Sequence, residues 1–339
     1  MDADAQSRYT SKMQKIGKKT IAKTDPRFAS HKRILAFLEK PLVNNIVLVE
    51  PEESDQHAHF EIEENGARRY VRGLCRVLES AFFARGRQKT TAHETEEGEP
   101  PADVIGTTSQ GAAASRCKTR GRRHGTLVHH QVEHMVMNYI KRGAYFDPSE
   151  LHSMGLDACA LKVISYLQSN FLMPIKVEHK VYDRLLDVAT AVDLVAVDIK
   201  RMELVFIELK TTASLKKEFH TEEYTKPMRR ALSSVVDSPY HRAGVQALMT
   251  YLISDHKPDR YEILFVGPGT DRALQYPLPH WCWGPSETNE NSQNIYNSMM
   301  RFLKERPEKF APLPKKRRAS TSRSEQARKR KKPATEPAE

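Results

Sequence analysis

The stretch Leu185–Thr212, LLDVATAVDLVAVDIKRMELVFIELKTT, decides how the chain is read. Two apolar, β-branched runs, Val192–Val197 and Leu204–Leu209, have the composition of buried strands. The polar segment Asp198–Glu203, with Ile199 and Met202 inside it, reads as their connection. Three charges interrupt the apolar runs: Asp193, Glu208 and Lys210. If the chain turns about Lys200 and Arg201, the equal arms bring Asp193 opposite or nearly opposite Glu208, with Cβ atoms about 5 Å apart. Period-2 alternation then puts Glu208 and Lys210 on one face.

Unpaired charges inside a strand cost on the order of several kcal/mol each, so something must compensate them. One arrangement is a structural ion pair of Lys210 with either acid. In the other, the two carboxylates share a divalent cation and the lysine acts on a water or a phosphate oxygen beside it. The hairpin alone fits both, and the neighbouring segments must discriminate.

Working outward, 339 residues suffice for one large domain or two. A net charge of +11 and a pI near 9.4 point to an acidic partner such as nucleic acid or an anionic surface. Ten Lys/Arg against three Glu in 312–339 place about +7 of that charge in the tail, leaving the rest mildly basic. Cys75, Cys117, Cys159 and Cys282 form no CxxC pair, which disfavours a zinc finger or an iron–sulfur clamp. No apolar run is long enough to span a bilayer and the N-terminus has no apolar leader core, so an intracellular soluble protein is expected.

Residues 1–30 are polar, lysine-rich and expected to be disordered. Residues 31–85 read as a small accessory α+β unit: a short helix through Leu38, strands at Asn45–Glu50 and His59–Glu63, and a helix Ala67–Phe83 with Val71, Leu74, Leu78 and Phe82 on one face. Residues 86–115 read as a linker, and 116–311 as the main domain. There, Arg116, Lys118, Arg120, Arg122 and Arg123 precede a helix expected to start near Gly125, with Val128, Val132, Met135, Val136 and Tyr139 as its buried face. His129 and Glu133 lie one turn apart at the edge of that stripe.

A second helix carries Leu156, Ala160, Val163, Ile164 and Leu167. Pro174–Tyr182 then alternates cleanly, with Ile175, Val177, His179 and Val181 on one face and Lys176, Glu178 and Lys180 on the other, as a half-exposed strand would. After the charged hairpin, Leu215–Arg230 is a polar connection whose Lys216, Lys217, Lys226, Arg229 and Arg230 suit phosphate contacts or a solvated loop. An amphipathic helix at Pro239–Ser254, with Gln246 and Thr250 beside its apolar face, a strand at Tyr261–Val266 and a helix at Ser292–Lys304 complete the pattern. The expected architecture is α/β, a mixed sheet flanked by helices.

Four pieces in this order resemble the PD-(D/E)XK nuclease superfamily, in its RecB-like and lambda-exonuclease-like branch. GTLVHHQVE looks like the branch's helix motif, KVEHKVY like the strand before the acid, AVDLVAVD like the motif with the first metal carboxylate, and FIELKTT like the (D/E)xK strand. YHRAGVQALMTYL resembles the glutamine-containing helix that follows. The likeness covers about residues 125–266. It departs from the branch where a tyrosine often follows the glutamine by four residues: Thr250 stands there, and Tyr251 is next.

The resemblance implies a restriction-endonuclease-like core and a metal-dependent deoxyribonuclease. Asp193 and Glu208 would ligate Mg²⁺ or Mn²⁺, with the main-chain carbonyl of Leu209, and His129 would complete or border the metal shell. Lys210 would orient or help deprotonate the attacking water, and Gln246 would steady Lys210 or the DNA backbone. Glu133 and Glu178 stand at the margin of the set, reading equally well as solvated charges. Two carboxylates around a hard cation suit phosphodiester hydrolysis, because the cation acidifies a water and offsets charge on the phosphorus oxygens. The expected activity is an exonuclease on linear DNA ends in recombination, repair or viral genome processing. An endonuclease on the same core and an inactive DNA-binding protein are the alternatives.

The tail, 312–339, carries basic clusters Lys315–Arg318 and Arg328–Lys332 around a serine-rich spacer. That composition matches a bipartite nuclear import segment, with an import receptor as partner, and also a nonspecific nucleic-acid tail.

Overall fold

Asn65 and Gly66 both have positive φ, 54° and 76°. That is the backbone of a two-residue type I′ hairpin turn. In the structure, a computed structural model describing residues 27–39, 45–49, 59–83, 109–143, 147–213, 219, 224–279 and 290–305, this turn joins β2 (His59–Glu64) to β3 (Ala67–Gly73). The helix expected over Ala67–Phe83 is therefore half strand: only Leu74–Ala81 is helical, here α2. The Asn-Gly pair fixes the reversal, and Val71 packs into the sheet's own core instead of onto a helical stripe.

Before them come α1 (Arg27–Glu39) and β1 (Ile46–Val49). After α2, α3 runs Ser109–Arg142, starting well ahead of Gly125 and taking up the end of the expected linker and the whole basic run. Ala112–Ala114 are strong helix formers, which extends the helix beyond its buried stripe. Val128, Val132, Met135, Val136 and Tyr139 are all buried.

A short helix absent from the expected order, α4 (Pro148–Ser153), follows; Asp147 and Glu150 form a capping box with Pro at its start. Next are α5 (Ala158–Ser169), capped by Asp157, then β4 (Leu172–Asp183), β5 (Val188–Asp198) and β6 (Glu203–Thr211). The chain closes with α6 (Pro239–Ile253), β7 (Arg260–Val266), the unanticipated short β8 (Leu274–Tyr276) and α7 (Glu290–Glu305). On α6 the buried surface extends over Ala243, Gly244, Ala247, Met249 and Thr250 as well as Val245 and Leu248, wider than the narrow stripe its Leu and Val residues suggest. Small residues let this helix lie deep among its neighbours.

The eight strands form one mixed sheet, in the order β1-β2-β3-β5-β6-β7-β8, with β4 also paired to β5. Pairing is antiparallel except β3 with β5 and β6 with β7. Residues 46–73 thus extend the same sheet as the hairpin, and α1 seals it: the Phe37 ring lies 6.3 Å from Phe206 and 5.1 Å from His179. Because β4 covers the whole of one edge of β5, β3 and β6 share the other, at opposite ends. The ladder from β5 to β6 stops at Leu194 and Ile207, one step short of Asp193 and Glu208.

Segments 1–26, 84–108 and 306–339 lie outside the described residues, and with them the expected disordered N-terminus, most of the linker and the basic tail. Among the described residues, no helix is long and apolar enough to cross a membrane.

Candidate metal centre

Where the β5–β6 ladder ends, a side chain takes over from the backbone. The amide N–H of Leu209 donates to Asp193 Oδ2 at 2.6 Å, and Asp193 Oδ1 lies 3.5 Å from His129 Nδ1 on α3. Extending the register by one places Asp193 against Glu208 and, on the other edge of β5, against Glu178. Glu178 sits in mid-strand with φ at 45°, a left-handed conformation costing about 1–3 kcal/mol for a non-glycine residue. That break also interrupts the alternation expected along β4. Lys176 and His179, three residues apart, both pack on Phe37, whereas an unbroken strand would send them to opposite faces. Lys176 is buried, not solvated.

The consequence is a cluster in which one nitrogen of His129 and one carboxylate oxygen each of Glu178 and Asp193 lie within 4.8 Å of one another. Glu178, marginal by sequence, is a full member, set opposite Asp193 by the β4–β5 register. Glu133 is turned toward His130, 3.7 Å away.

Glu208 stands outside that trio. Its buried carboxylate accepts from Lys210 Nζ at 2.5 Å and from Gln246 Nε2 at 2.6 Å, with the Tyr261 hydroxyl 3.5 Å off. Gln246 Oε1 in turn lies 3.3 Å from Lys210 Nζ, so the α6 glutamine bridges acid and amine. Of the two alternatives for the hairpin, the ion pair is present on β6, while Asp193 on β5 is grouped with His129 and Glu178 and not with Glu208. Leu209 contributes its amide to Asp193, and its side chain is buried.

The electrostatics follow from this crowding. Burial pushes the Glu178 carboxyl up to about 7, with the Asp193 charge adding to it. Burial also raises Glu208, against the pull of Lys210. At Asp193 burial acts upward too, but His129, Lys210 and the Leu209 amide outweigh it and hold the group below the ordinary carboxylate range. Burial would lower His129 and Lys210; the partner carboxylates overcome it and raise both. Lys210 is therefore an ammonium at neutral pH. The Cys75 thiol lies within electrostatic reach of Lys210, Glu208 and Asp193, and desolvation pushes it up to about 12.

The basic residues divide. Arg123 is exposed on α3, and Arg120 and Arg122 lie on the same helix. Lys216 and Lys217 fall outside the described residues. Arg229 instead donates to the carbonyls of Glu79 and Ser80 at the end of α2, at 2.9 and 3.0 Å, and Arg230 stacks on Phe302 at 4.5 Å.

An imidazole nitrogen with two carboxylates is a donor set for a hard or borderline divalent cation. The raised Glu178 carboxyl points the same way: acids packed this closely repel unless a cation or a proton lies between them. No family model matches the chain, and neither does any curated protein.

Proposed function

We propose that the chain is a Mg²⁺- or Mn²⁺-dependent deoxyribonuclease with a PD-(D/E)XK-type core, acting as an exonuclease at DNA ends. The observation that carries this reading is the cluster of His129, Glu178 and Asp193 within 4.8 Å, beside a buried Glu208–Lys210 pair. A divalent cation held there would acidify a water and offset charge on the scissile phosphate. The remaining roles fall to the chain itself. Glu208 and Gln246 fix the Lys210 ammonium beside the cluster, where, protonated, it orients a nucleophilic water or donates to a phosphate oxygen rather than acting as the base. The Leu209 amide holds Asp193 in place. Arg123, with Arg120 and Arg122 on the same helix, would bind the DNA backbone, and the tail would direct nuclear import.

Linear and covalently closed duplex DNA, each with Mg²⁺ or Mn²⁺, test this. Linear DNA should be degraded and closed circles should resist; Lys210→Ala and Asp193→Asn should abolish cutting while DNA binding survives. Cutting of circles would select the endonuclease alternative. A folded, metal-saturated wild type that cuts neither DNA nor RNA would leave a DNA-binding protein.

A further inference from the structure

Away from the β5 cluster, the N-terminus of α5 meets the middle of α3. Asp157 caps α5, accepting from the Cys159 amide at 2.8 Å, and its own backbone N–H donates to Gln131 Oε1 of α3 at 2.7 Å. That clamp sets Asp157 against His124, which lies on α3 more than a turn before His129 and faces a different partner set. One nitrogen of His124, the carboxylate of Asp157 and the Cys159 sulfur lie within 4.8 Å of one another. Cys159 is 1 % exposed, so its sulfur is aimed into this space and not at solvent.

Asp157 already accepts from the Cys159 amide and thiol, and the imidazole is the less satisfied member of the trio. His124 Nε2 is 3.3 Å from Asp157 Oδ2, long for a charge-assisted bond, which runs about 2.7–2.9 Å. Nδ1 of the same ring is buried with no hydrogen-bond partner among the described residues. The 3.3 Å separation does match the edge of a tetrahedron around zinc, which is about 3.3 Å for bonds of about 2.0 Å.

We propose that His124, Asp157 and Cys159 form a second metal site, selective for a borderline-soft cation of the zinc type, that staples α5 to α3. Imidazole and thiolate with one carboxylate favour zinc over Mg²⁺, and the thiolate makes this the softer of the two donor sets. Three protein ligands leave the fourth position to water. The thiol gives up its proton on binding, so uptake of the metal releases acid. The site does not require the chain to be a nuclease.

The test uses full-length protein, stripped of metal and titrated with Co²⁺ as a spectroscopic substitute for zinc. One equivalent should produce a thiolate-to-cobalt charge-transfer band in the near ultraviolet, in the wild type and equally in Asp193→Asn. Cys159→Ala and, independently, His124→Asn should lose the band, and Zn²⁺ should raise the Tm of the wild type by more than that of either variant. A wild type without the band, or a band that survives Cys159→Ala, overturns the proposal.

Discussion

Gly125 on α3 lies so close to Thr211 at the end of β6 that a β-carbon built on it would stand 2.7 Å from the threonine Oγ1. That is inside van der Waals contact, so this approach of helix to strand requires a residue with no side chain. It also sets the height of His129, one turn further along α3, over Asp193. Gly125→Ala should push the helix outward and weaken Mn²⁺ binding several-fold. Thr211→Ala removes the opposing oxygen, and in the double variant should restore most of that loss. Isothermal titration across the four proteins gives the coupling; additive effects would mean that the contact does not set the site.

Gln246 holds the site from the opposite helix. It donates to Glu208 Oε1 and accepts from Lys210, tying a buried acid and an ammonium into one geometry. Gln246→Leu leaves the buried carboxylate one donor short, a loss of about 1–3 kcal/mol in stability. As Gln246 reaches the reacting groups only through its neighbours, kcat should fall while KM for DNA holds, and Gln246→Glu should not rescue it because two acids would then compete for one lysine. A rise in KM with kcat unchanged would move Gln246 to substrate binding.

A pH dependence follows from Glu178. Burial raises its carboxyl to about 7 in the folded chain, against an ordinary value of 4.5. A raised acid binds its proton more tightly when folded. Its contribution to stability is therefore present at low pH and fades as pH rises from about 4.5 through about 7. A cation must displace that proton, so Mn²⁺ affinity should climb with pH up to about 7 and then level at this group. Glu178→Gln should bind Mn²⁺ more weakly at pH 8 and, at about pH 6, where Glu178 still holds its proton, release close to one proton fewer on binding, measured by titration in buffers of different ionisation enthalpy. Equal proton release from both proteins would show that Glu178 is not displaced.

How far the sequence carries depends on whether a feature is local. The hairpin was legible because apolar runs of equal length around a polar turn fix a register, and with it Asp193 facing Glu208. The α3 stripe and the α6 span were legible from helical spacing. The β3 strand was not read, although Asn65-Gly66 is a local signal for it, because the apolar spacing from Val71 to Phe82 also fits a helix. Glu178 is a different case. It lies opposite Asp193 on β4, whose pairing with β5 the sequence alone did not give, and its positive φ is a single backbone inversion that neither composition nor period reveals. Lys176 is likewise buried only because α1, remote in sequence, brings Phe37 over it.

Arg229 separates a phosphate-binding role from a structural one. Sequence places it in a basic loop suited to DNA, but its guanidinium donates to the carbonyls of Glu79 and Ser80, and its own amide donates to Phe82 at 2.6 Å. These acceptors are at the C-terminal end of α2, where unsatisfied carbonyls and the helix dipole favour a cation. Arg229→Ala should therefore lower stability by about 1–3 kcal/mol, read as a shift in urea midpoint, as bonds to charged donors are lost. The salt dependence of DNA binding should not change. Arg123→Ala, at an exposed position on α3, should do the reverse: unchanged stability, and a slope of log affinity against log salt shallower by about 1. A reduced slope in Arg229→Ala with stability intact would return that arginine to the DNA-contacting set.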